Sequence, residues 1–400
     1  MSTLEQSLAA MLGSAELDAC LSVDDRPLPV AAPAEEAQLL ELLALARRDH
    51  LTVIPIGSGA GLELLRPDAR PDFLLSTRHL SGILAHEPGD GTLAARAGTP
   101  LGELARRAAD GGQHLSPRLR HAPSATLGGV LAAGRAGPDR LRWGPARHQV
   151  LGTRMALSDG TVAASGGRLV KNVAGYDLHR LHCGSRGTLG IILEACLRLH
   201  PAPEASSRSA VTFAKREEAL EAAAHLRDGP LRPWALLLEE STATTVDGDH
   251  ARPWTLHLEL GGVEEVHRAE LDWAREALAA RAGQECPPAT GENLDRWADG
   301  RAARLTVTCR PSKLRAVCPL LSSLVPGPQI ILPAMAQVHI LGEGPPPTAA
   351  EGHSLALRLA PQGARITGHK RAGEAGADWA QRLRQALDPS GVFADTGAAP

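Results

Sequence analysis

The segment GGRLVKNVAGYDLHRLHCGSRGTLGI, residues 166–191, is the most informative part of the chain. It is rich in glycine and polar residues, and it leads directly into an apolar run that predicts a strand. It contains the only tyrosine, Tyr176, and a Gly-Ser-x-Gly-x-Leu-Gly run at residues 184–190. Because glycine has no Cβ, such a segment is typical of a backbone that approaches a phosphate-bearing ligand closely.

Two earlier segments have the same character. Residues 57–61 (GSGAG) follow an apolar run that predicts a strand, and residues 124–129 (SATLGG) begin a predicted helix with Ser124 or Thr126 as its N-cap. We expect the amides at the start of this helix to be unpaired and to attract anionic oxygen. Three such segments predict a long ligand that is held along its length.

Length and charge limit the classes of function. A chain of 400 residues is longer than one ordinary hydrophobic core requires, so we predict two domains. The 42 basic and 45 acidic side chains give a net charge of -3, which provides no broad attraction for nucleic acid or anionic lipid. We therefore expect no nucleic-acid partner.

The cysteines and the hydropathy argue against a metal site and a membrane anchor. The six cysteines include no Cys-x-x-Cys pair and no cluster with histidine at metal-ligand spacing, so we expect no metal. The N-terminus has no basic start followed by an apolar run, and no stretch of about 18 apolar residues occurs. These features predict a cytoplasmic protein without a transmembrane segment, which would reach a membrane only through partners.

Periodicity and turn residues predict alternating helices and strands. Residues 33–50 have acids in the first turn, leucines on one side and bases at the end, which predicts a helix. Further helices are predicted at residues 99–109, 215–227 and 264–282. Strands are predicted at residues 51–56, 73–76, 82–86, 93–97, 150–157, 161–164, 188–200, 210–213, 234–239, 255–260, 304–308, 337–341 and 354–359.

A change of composition near residue 203 divides the chain. We predict one domain over residues 1–203, with its core at about 30–200, and a second α+β domain over residues 204–400. No internal repeat is found in the sequence. The segments predicted as loops are residues 326–333 and 342–348.

Taken together, these motifs resemble a known family. The pairing of ATLGG with KNVAGYDL at residues 171–178 is most similar to the FAD-binding subunits of bacterial glycolate oxidases, within the vanillyl-alcohol oxidase-type (PCMH-type) flavoproteins. The closing segment 383–393 resembles the final helix and turn of such proteins. The resemblance covers residues 30–200 well and the C-terminal half thinly. The segments that carry it are 55–61 (PIGSGAG), 125–129 (ATLGG), 150–152 (VLG) and 171–190.

The resemblance implies an α+β fold, in which a PCMH-type FAD-binding domain of two α/β lobes precedes a smaller, ferredoxin-like α+β domain. It also implies that backbone amides of residues 57–61 and 125–129 bind the pyrophosphate of FAD, and that residues 184–191 lie near the adenine and ribose. The residues that it implies for cofactor binding are Pro55, Gly57, Ser58, Gly59, Ala60, Gly61, Ser124, Ala125, Thr126, Gly128, Gly129, Lys171, Asn172, Tyr176, Gly184, Ser185, Gly187, Gly190 and Ile191.

The chain departs from the family pattern in two places. Flavinylated relatives carry a histidine after the first glycine segment, whereas this chain has Ala60 and Gly61, so we predict non-covalent FAD. Related hydroxy-acid enzymes carry a histidine-rich segment with Gly-Asp-Gly-Asn in the second domain, and nothing similar occurs here. Neither a catalytic base nor a cation for a substrate carboxylate can be assigned, and the catalytic residues stay unknown.

We therefore expect the FAD-binding subunit of a glycolate oxidase-type complex, which supports electron transfer from glycolate or D-lactate to an iron-sulfur partner. A homologous FAD-containing catalytic subunit would be the second partner, and a small 2-hydroxy acid would be oxidised by the complex. A self-sufficient FAD-dependent 2-hydroxy-acid or alcohol oxidoreductase is the alternative. A binding protein that has lost the flavin is a third hypothesis, against which the intact glycine segments argue.

Each motif also has a structural interpretation. Alone, residues 57–61 and 125–129 would be an ordinary turn and a site of helix packing, and Lys171 with Asn172 a solvated turn. Tyr176 is equally compatible with a packed, hydrogen-bonded core phenol. The histidines and the cysteine that we expect to be structural are His179, His182, Cys183, His257, His339, His353 and His369.

Overall fold

The computed structural model describes residues 3–12, 17–23, 26–59, 70–168, 176–241, 252–281, 283–299, 303–341, 349–366 and 375–394. Within these residues, sheets of four, six and eight strands follow one another along the chain. The first two sheets belong to the N-terminal half and the third to the C-terminal half. This mixture of helices and sheets confirms the predicted α+β class.

The first sheet contains the strand that leads to the first glycine segment. Its strands and the helices beside it are β1 (Leu17–Val23), β2 (Arg26–Ala31), β3 (Val53–Ile56), β4 (Phe73–Ser76), α1 (Thr3–Leu12) and α2 (Glu36–Arg48). The order is β1-β2-β4-β3, and β4 is parallel to both of its neighbours. Helix α2 begins at a capping box in which Gln38 Oε1 accepts the amide of Glu35 at 3.0 Å. Its apolar side is buried on the sheet, with Leu39 and Leu42 in one cluster with Phe73.

The second sheet is antiparallel and is built around one long strand. Its elements are β5 (Ile83–Glu87), β6 (Thr92–Arg96), β7 (Gln113–Leu115), β8 (Val150–Ala156), β9 (Val162–Gly166), β10 (Ile191–Pro201), α3 (Leu101–Asp110), α4 (Leu127–Ala133), α5 (Arg140–Trp143) and α6 (Leu178–Leu181). Strand β10 lies between β6 and β8 and also pairs with β7. Leu127 and Val130 of α4 are buried in one cluster with Ile192 and Leu197 of β10. The helix of the second glycine segment is thus anchored on the strand that follows the third.

The third sheet carries most of the C-terminal half. Its elements are β11 (Ala205–Phe213), β12 (Ala235–Glu240), β13 (Trp254–Gly262), β14 (Gln284–Cys286), β15 (Ala303–Thr308), β16 (Gln329–Leu332), β17 (Gln337–Leu341), β18 (Arg365–Ile366), α7 (Arg216–Asp228), α8 (Glu264–Ala279), α9 (Gly291–Asp299), α10 (Leu314–Leu324), α11 (Ala349–Leu359) and α12 (Ala375–Leu387). The strand order is β14-β11-β13-β12-β16-β17-β15-β18, and every pair is antiparallel.

This order contains the same unit twice. The runs β11-α7-β12-β13-α8-β14 and β15-α10-β16-β17-α11-β18 are both βαββαβ units, whose strands lie in the order fourth, first, third, second. The two units join through β12 and β16, where Leu238 lies opposite Ile331. The expected ferredoxin-like topology therefore occurs twice, and the expectation of no internal repeat is wrong for the topology. The repeat lies in the connectivity of the strands, which the sequence pattern did not reveal.

Two segments of this half differ from the sequence prediction. Residues 354–359 have a leucine at every second position and predict a strand, but they form the end of α11. Ala356 and Leu359 are buried whereas Leu357 is 62% exposed, which is the spacing of a helix face. Residues 326–333 predict a loop, but four of them form β16, which lies in the middle of the sheet.

The two faces of the third sheet differ in polarity. Helices α7, α8 and α10 cover one face, where Leu256 of β13 is buried. His257 and Glu259 of the same strand lie on the other face, because side chains alternate along a strand. Leu237 of β12 packs there against Leu294 of α9. The polar face therefore meets α9 and, as shown below, the N-terminal half.

The last described residues return to the first sheet. Val53 donates its amide to Val392 O at 2.7 Å, and Ala394 donates to Val53 O at 2.9 Å. Asp388 is buried and accepts the amides of Val392 and Phe393 at 2.9 and 2.8 Å. Phe393 is fully buried in the core of the first sheet. The end of the predicted second domain thus packs on the N-terminal half, while the boundary near residue 203 stays a prediction.

Candidate functional site

The three glycine segments meet at one cavity between the first and second sheets. Its empty volume, which includes open solvent, is ≈ 920 Å³. Eleven of the predicted cofactor residues line it. They are Pro55, Gly57, Ser58, Gly59, Ala125, Thr126, Gly128, Gly129, Gly187, Gly190 and Ile191.

The segments touch one another at places where only glycine fits. A Cβ atom on Gly57 would lie 1.9 Å from Thr126 Oγ1, so any side chain there would displace the second segment. A Cβ atom on Gly187 would lie 3.1 Å from the ring of Pro55, and Gly187 has a φ of 77° that favours glycine. The glycines that the sequence suggested for ligand approach also allow the three segments to approach one another.

The first segment presents unpaired amides. Ser76 Oγ donates to Gly57 O at 2.9 Å and holds the carbonyl side of the turn. Gly59 has a φ of 80°, which only glycine adopts without strain. The amides of Gly57, Ser58 and Gly59 donate to no acceptor within the described part of the chain. Successive amides that line a cavity in this way can bind an anion.

The second segment behaves differently from the sequence prediction. Thr126 is the N-cap of α4 as predicted, and its Oγ1 accepts the amide of Gly129 at 3.4 Å. However, Leu127 donates its amide to Thr99 O at 2.9 Å, and Gly128 donates to Ala97 O at 2.8 Å. The expectation of unpaired amides at this helix start is therefore wrong for these two residues, because the neighbouring loop satisfies them. The segment forms the wall of the cavity, and the free amides come from the first segment.

The third segment is tied to the end of α4. Gly184 donates its amide to Leu131 O at 3.0 Å, and Arg186 donates to Ala132 O at 2.7 Å. Gly190 has a φ of 143°, and a Cβ atom there would lie 3.0 Å from Ala156 O. This backbone geometry allows Ile191, the first residue of β10, to line the cavity.

Several predicted residues lie away from the cavity. Ser124 is exposed, and Gly184 and Ser185 support the third segment without lining the cavity. Tyr176 is 88% exposed, so its interpretation as a packed core phenol is wrong, and it does not line the cavity either. The predicted residues that fall outside the described ones are Ala60, Gly61, Lys171 and Asn172.

Two arginines that the sequence interpretation missed also line the cavity. Arg186 lies within the third segment at a φ of 51°, and burial lowers the pKa of its guanidinium. Its position inside the Gly-Ser-Arg-Gly run could have indicated that it lines the cavity. Arg135 lies just after α4 and is almost fully buried. No local pattern marks Arg135, because its importance comes from a partner 164 residues away.

That partner belongs to a buried network between the two halves, which we call the charged seam. Arg118 Nη1 lies 2.8 Å from Glu259 Oε1, and Arg120 Nη2 donates to Asp295 Oδ1 at 2.8 Å. The third pair joins Arg135 Nη2 to Asp299 Oδ2 at 2.7 Å. The residues of the seam are Arg118, Arg120, His121 and Arg135 from the N-terminal half and Glu259, Asp295 and Asp299 from the C-terminal half.

The electrostatics of the seam favour its charged form. Burial opposes the charge of Glu259, but the hydrogen bonds and positive charges of Arg118 and Arg120 outweigh it, and the pKa of Glu259 is lowered. Three arginines face three carboxylates, so the network is close to neutral apart from His121. A buried network of this kind specifies how two structural units dock.

The histidines expected to be structural are buried or paired where the structure describes them. His179 and His182 are buried, and burial raises the pKa of the Cys183 thiol to about 11. His257 Nε2 lies 3.1 Å from Glu239 Oε2. His339 Nδ1 lies 2.8 Å from Thr306 Oγ1, while no partner of its buried Nε2 is found among the described residues. The side chain of His353 and all of His369 fall outside the described part.

Comparison with known proteins agrees with this cavity. Residues 27–166 match the family model described as FAD binding domain. The match agrees with FAD as the predicted cofactor. The first two glycine segments lie within the match, and the third follows it in sequence. FAD fits the site, because its diphosphate can accept from the amides of the first segment, which donate to no acceptor among the described residues.

Two bacterial relatives illustrate the resemblance. Glycolate oxidase subunit GlcD of Bacillus subtilis is 27% identical over 235 residues, which cover 59% of this chain and 50% of the relative. Glycolate oxidase subunit GlcE of Escherichia coli is 38% identical over 169 residues, which cover 42% of this chain and 48% of the relative. The matched regions therefore span about half the length of these relatives.

Solved structures extend the likeness of the fold to the whole chain. A structure of alkyldihydroxyacetonephosphate synthase superposes with a TM-score of 0.72 over 98% of this chain and 84% of that one, at 16% identity. This likeness supports the predicted α+β fold over nearly the whole chain.

No helix within the described residues is both long enough and apolar enough to cross a membrane. Nor does the described part bring three His, Cys, Asp or Glu side chains together in a way that could hold a metal ion.

Proposed function

We propose that this chain is the FAD-binding subunit of a glycolate oxidase-type complex that oxidises 2-hydroxy acids, and that it binds FAD non-covalently. The observation that carries the proposal is the cavity where three glycine segments meet beside the amides of Gly57, Ser58 and Gly59, which donate to no acceptor among the described residues. The names of the GlcD and GlcE relatives support the substrate class.

In this proposal the chain's own residues bind and orient the cofactor. The amides of residues 57–59 bind the diphosphate, Thr126 and Gly129 form the wall behind it, and Gly187 to Ile191 accept the adenosine part. When bound, FAD supplies the two-electron oxidation that a 2-hydroxy acid requires. A homologous FAD-containing subunit oxidises glycolate or D-lactate, and an iron-sulfur subunit carries the electrons onward.

One observation favours a second candidate, a self-sufficient FAD-dependent oxidoreductase. His339 is buried on the polar face of the third sheet, and its Nε2 has no partner among the described residues. A neutral histidine with one free ring nitrogen is suited to accept a proton from a hydroxyl group. Burial lowers the pKa of His339 to about 4, so it is neutral near pH 7 but a weaker base than an ordinary histidine. The two candidates differ in whether the chain alone turns over a 2-hydroxy acid.

The first experiment is the visible spectrum of the chain purified alone, before and after anaerobic addition of glycolate or D-lactate, and again with its partner subunits. We expect a yellow protein whose flavin is released by denaturation and is bleached only when the partners are present. Bleaching of the isolated chain would instead establish the self-sufficient enzyme. A colourless protein that cannot be reconstituted with FAD would refute both candidates.

A further inference from the structure

Arg135 occupies a special place in the molecule, because it belongs to both the cofactor cavity and the charged seam. It lines the cavity, and it is only 7% exposed. Burying a guanidinium is costly unless its charge is used, so its contacts indicate its role.

The contacts of Arg135 fix its orientation from the second structural unit. Its Nε lies 3.1 Å and its Nη2 lies 2.7 Å from Asp299 Oδ2, and Nη2 lies 3.2 Å from His121 Nε2. Asp299 is the last residue of α9, and its side chain is 1% exposed. No hydrogen bond from Arg135 Nη1 to a described residue is found. The guanidinium is thus held on one side and retains a donor on another.

The ligand of this cavity is an anion. FAD carries negative charge on its diphosphate, and its flavin ring gains negative charge when it is reduced. In a partly enclosed cavity these charges interact more strongly with a cation than they would in water. Arg135 is positioned by a residue of the C-terminal half, yet it lies on the wall of a cavity that the N-terminal half builds.

We propose that Arg135 supplies positive charge to the anionic part of bound FAD and that Asp299 sets its position, so that both halves of the chain contribute to one cofactor site. This inference rests on the proposed binding of FAD. It assigns Arg135 as a cofactor-binding residue and Asp299 as a positioning residue that acts through it.

The test compares the two partners of the pair in FAD titrations of the full-length apoprotein. Arg135→Gln removes the cation, so we expect the Kd for FAD to rise roughly tenfold or more. Asp299→Asn keeps an oxygen that can accept from Arg135 but removes a negative charge near an anionic ligand, so we expect the Kd to stay equal or to fall. Asp299→Ala also removes the acceptor that positions Arg135, so we expect the Kd to rise. Arg118→Gln is the matched control, because it breaks a seam pair of similar burial that does not line the cavity, and its Kd should stay near that of the wild type.

Opposite changes of the Kd in Arg135→Gln and Asp299→Asn would show that Arg135 acts through its charge, because a pair that only docks the two halves would weaken FAD binding in both variants. If Asp299→Asn weakens FAD binding as much as Arg135→Gln, or if Arg118→Gln does so, the pair only docks the two halves and the proposal is overturned. The double variant Arg135→Gln/Asp299→Asn buries no unpaired charge and serves where the single variant does not fold. Its Kd should match that of Arg135→Gln, whereas Arg135→Lys should remain closer to the wild type.

Two further measurements identify the anionic group. If Arg135 faces the diphosphate, Arg135→Gln also weakens the binding of ADP to the apoprotein. If it faces the flavin ring, ADP binding is unchanged and the midpoint potential of the bound flavin becomes more negative. Unchanged affinities for FAD and ADP together with an unchanged potential would overturn the inference. Failure of the wild type itself to bind FAD would instead refute the proposed function.

Discussion

The cofactor cavity and the charged seam are neighbouring regions that are built in opposite ways. The wall of the cavity is backbone, and glycines such as Gly57 and Gly187 let its segments come together. The seam is made of long charged side chains, and its arginines and their carboxylate partners are 139 to 175 residues apart in the chain. Backbone geometry leaves a mark in the local sequence, whereas the pairing of distant charges does not. We therefore predict that substitutions in the seam mainly lower the free energy of unfolding, whereas substitutions in the cavity mainly weaken FAD binding.

The largest expected effect is on the seam. Glu259→Gln keeps the shape of the side chain but removes the charged partner of Arg118 and one of the two carboxylates that contact Arg120, and we expect the free energy of unfolding to fall by about 3 kcal/mol. Urea unfolding of the apoprotein measures this loss. The control is Glu221→Gln, which breaks an exposed pair with Arg315 that has a similar distance of 2.8 Å, and which should cost at most about 1 kcal/mol. Equal losses in the two variants would show that the buried seam contributes nothing special.

The next effect is on the cavity. Gly57→Ala places a methyl group against Thr126 Oγ1, and overpacking of this kind costs about 1–3 kcal/mol, so we expect the Kd for FAD to rise by roughly tenfold to a hundredfold. Fluorescence titration of the apoprotein with FAD is the measurement. Thr126→Ala removes the atom that clashes, so the double variant should recover part of the affinity lost in Gly57→Ala. No recovery would mean that the methyl group obstructs the ligand rather than the second segment.

The smallest effect concerns a histidine at the polar face beside the seam. Burial lowers the pKa of His339 to about 4, while the charge of Asp299 opposes this shift. Between pH 4 and 6.5 the unfolded chain binds a proton that the folded chain does not, so stability is lost as the pH falls through this range. In His339→Gln the slope of the unfolding free energy against pH should decrease by at most about 1.4 kcal/mol per pH unit. Denaturant titrations at several pH values measure the slope.

His79→Gln, at an exposed position, is the control for the general effect of losing a histidine. A slope that changes equally in both variants would contradict the assignment to His339.

Much of the N-terminal half could be predicted from the sequence, because its signals are local. The strand Phe73–Ser76 and the N-cap Thr126 follow directly from apolar runs and turn residues. The amides of Leu127 and Gly128 were assigned wrongly, because Thr99 and Ala97 reach them from a different part of the chain. The sequence at a helix start indicates the N-cap residue, but it does not indicate which carbonyl groups from other parts of the chain will accept the first amides of the helix.

The C-terminal half was predicted less well for the same reason. The alternation in residues 354–359 fits a strand and a helix face equally over six residues, and only packing decided that Leu357 is exposed. The prolines around β16 predicted a loop, although pairing with β12 and β17 makes it a central strand. The two βαββαβ units repeat a topology, which depends on the pairing of strands and not on any short motif.

The sequence by itself determined where backbone would approach a ligand, because a missing Cβ and a positive φ are properties of single residues such as Gly57 and Gly187. It also determined the FAD-binding domain, whose segments carry these glycines in a fixed order. Only the tertiary structure decided which amides remain free, and only it brought Arg135 to Asp299. The physical reason is that steric limits act within a few residues, whereas burial and charge pairing depend on which distant residues the fold brings together.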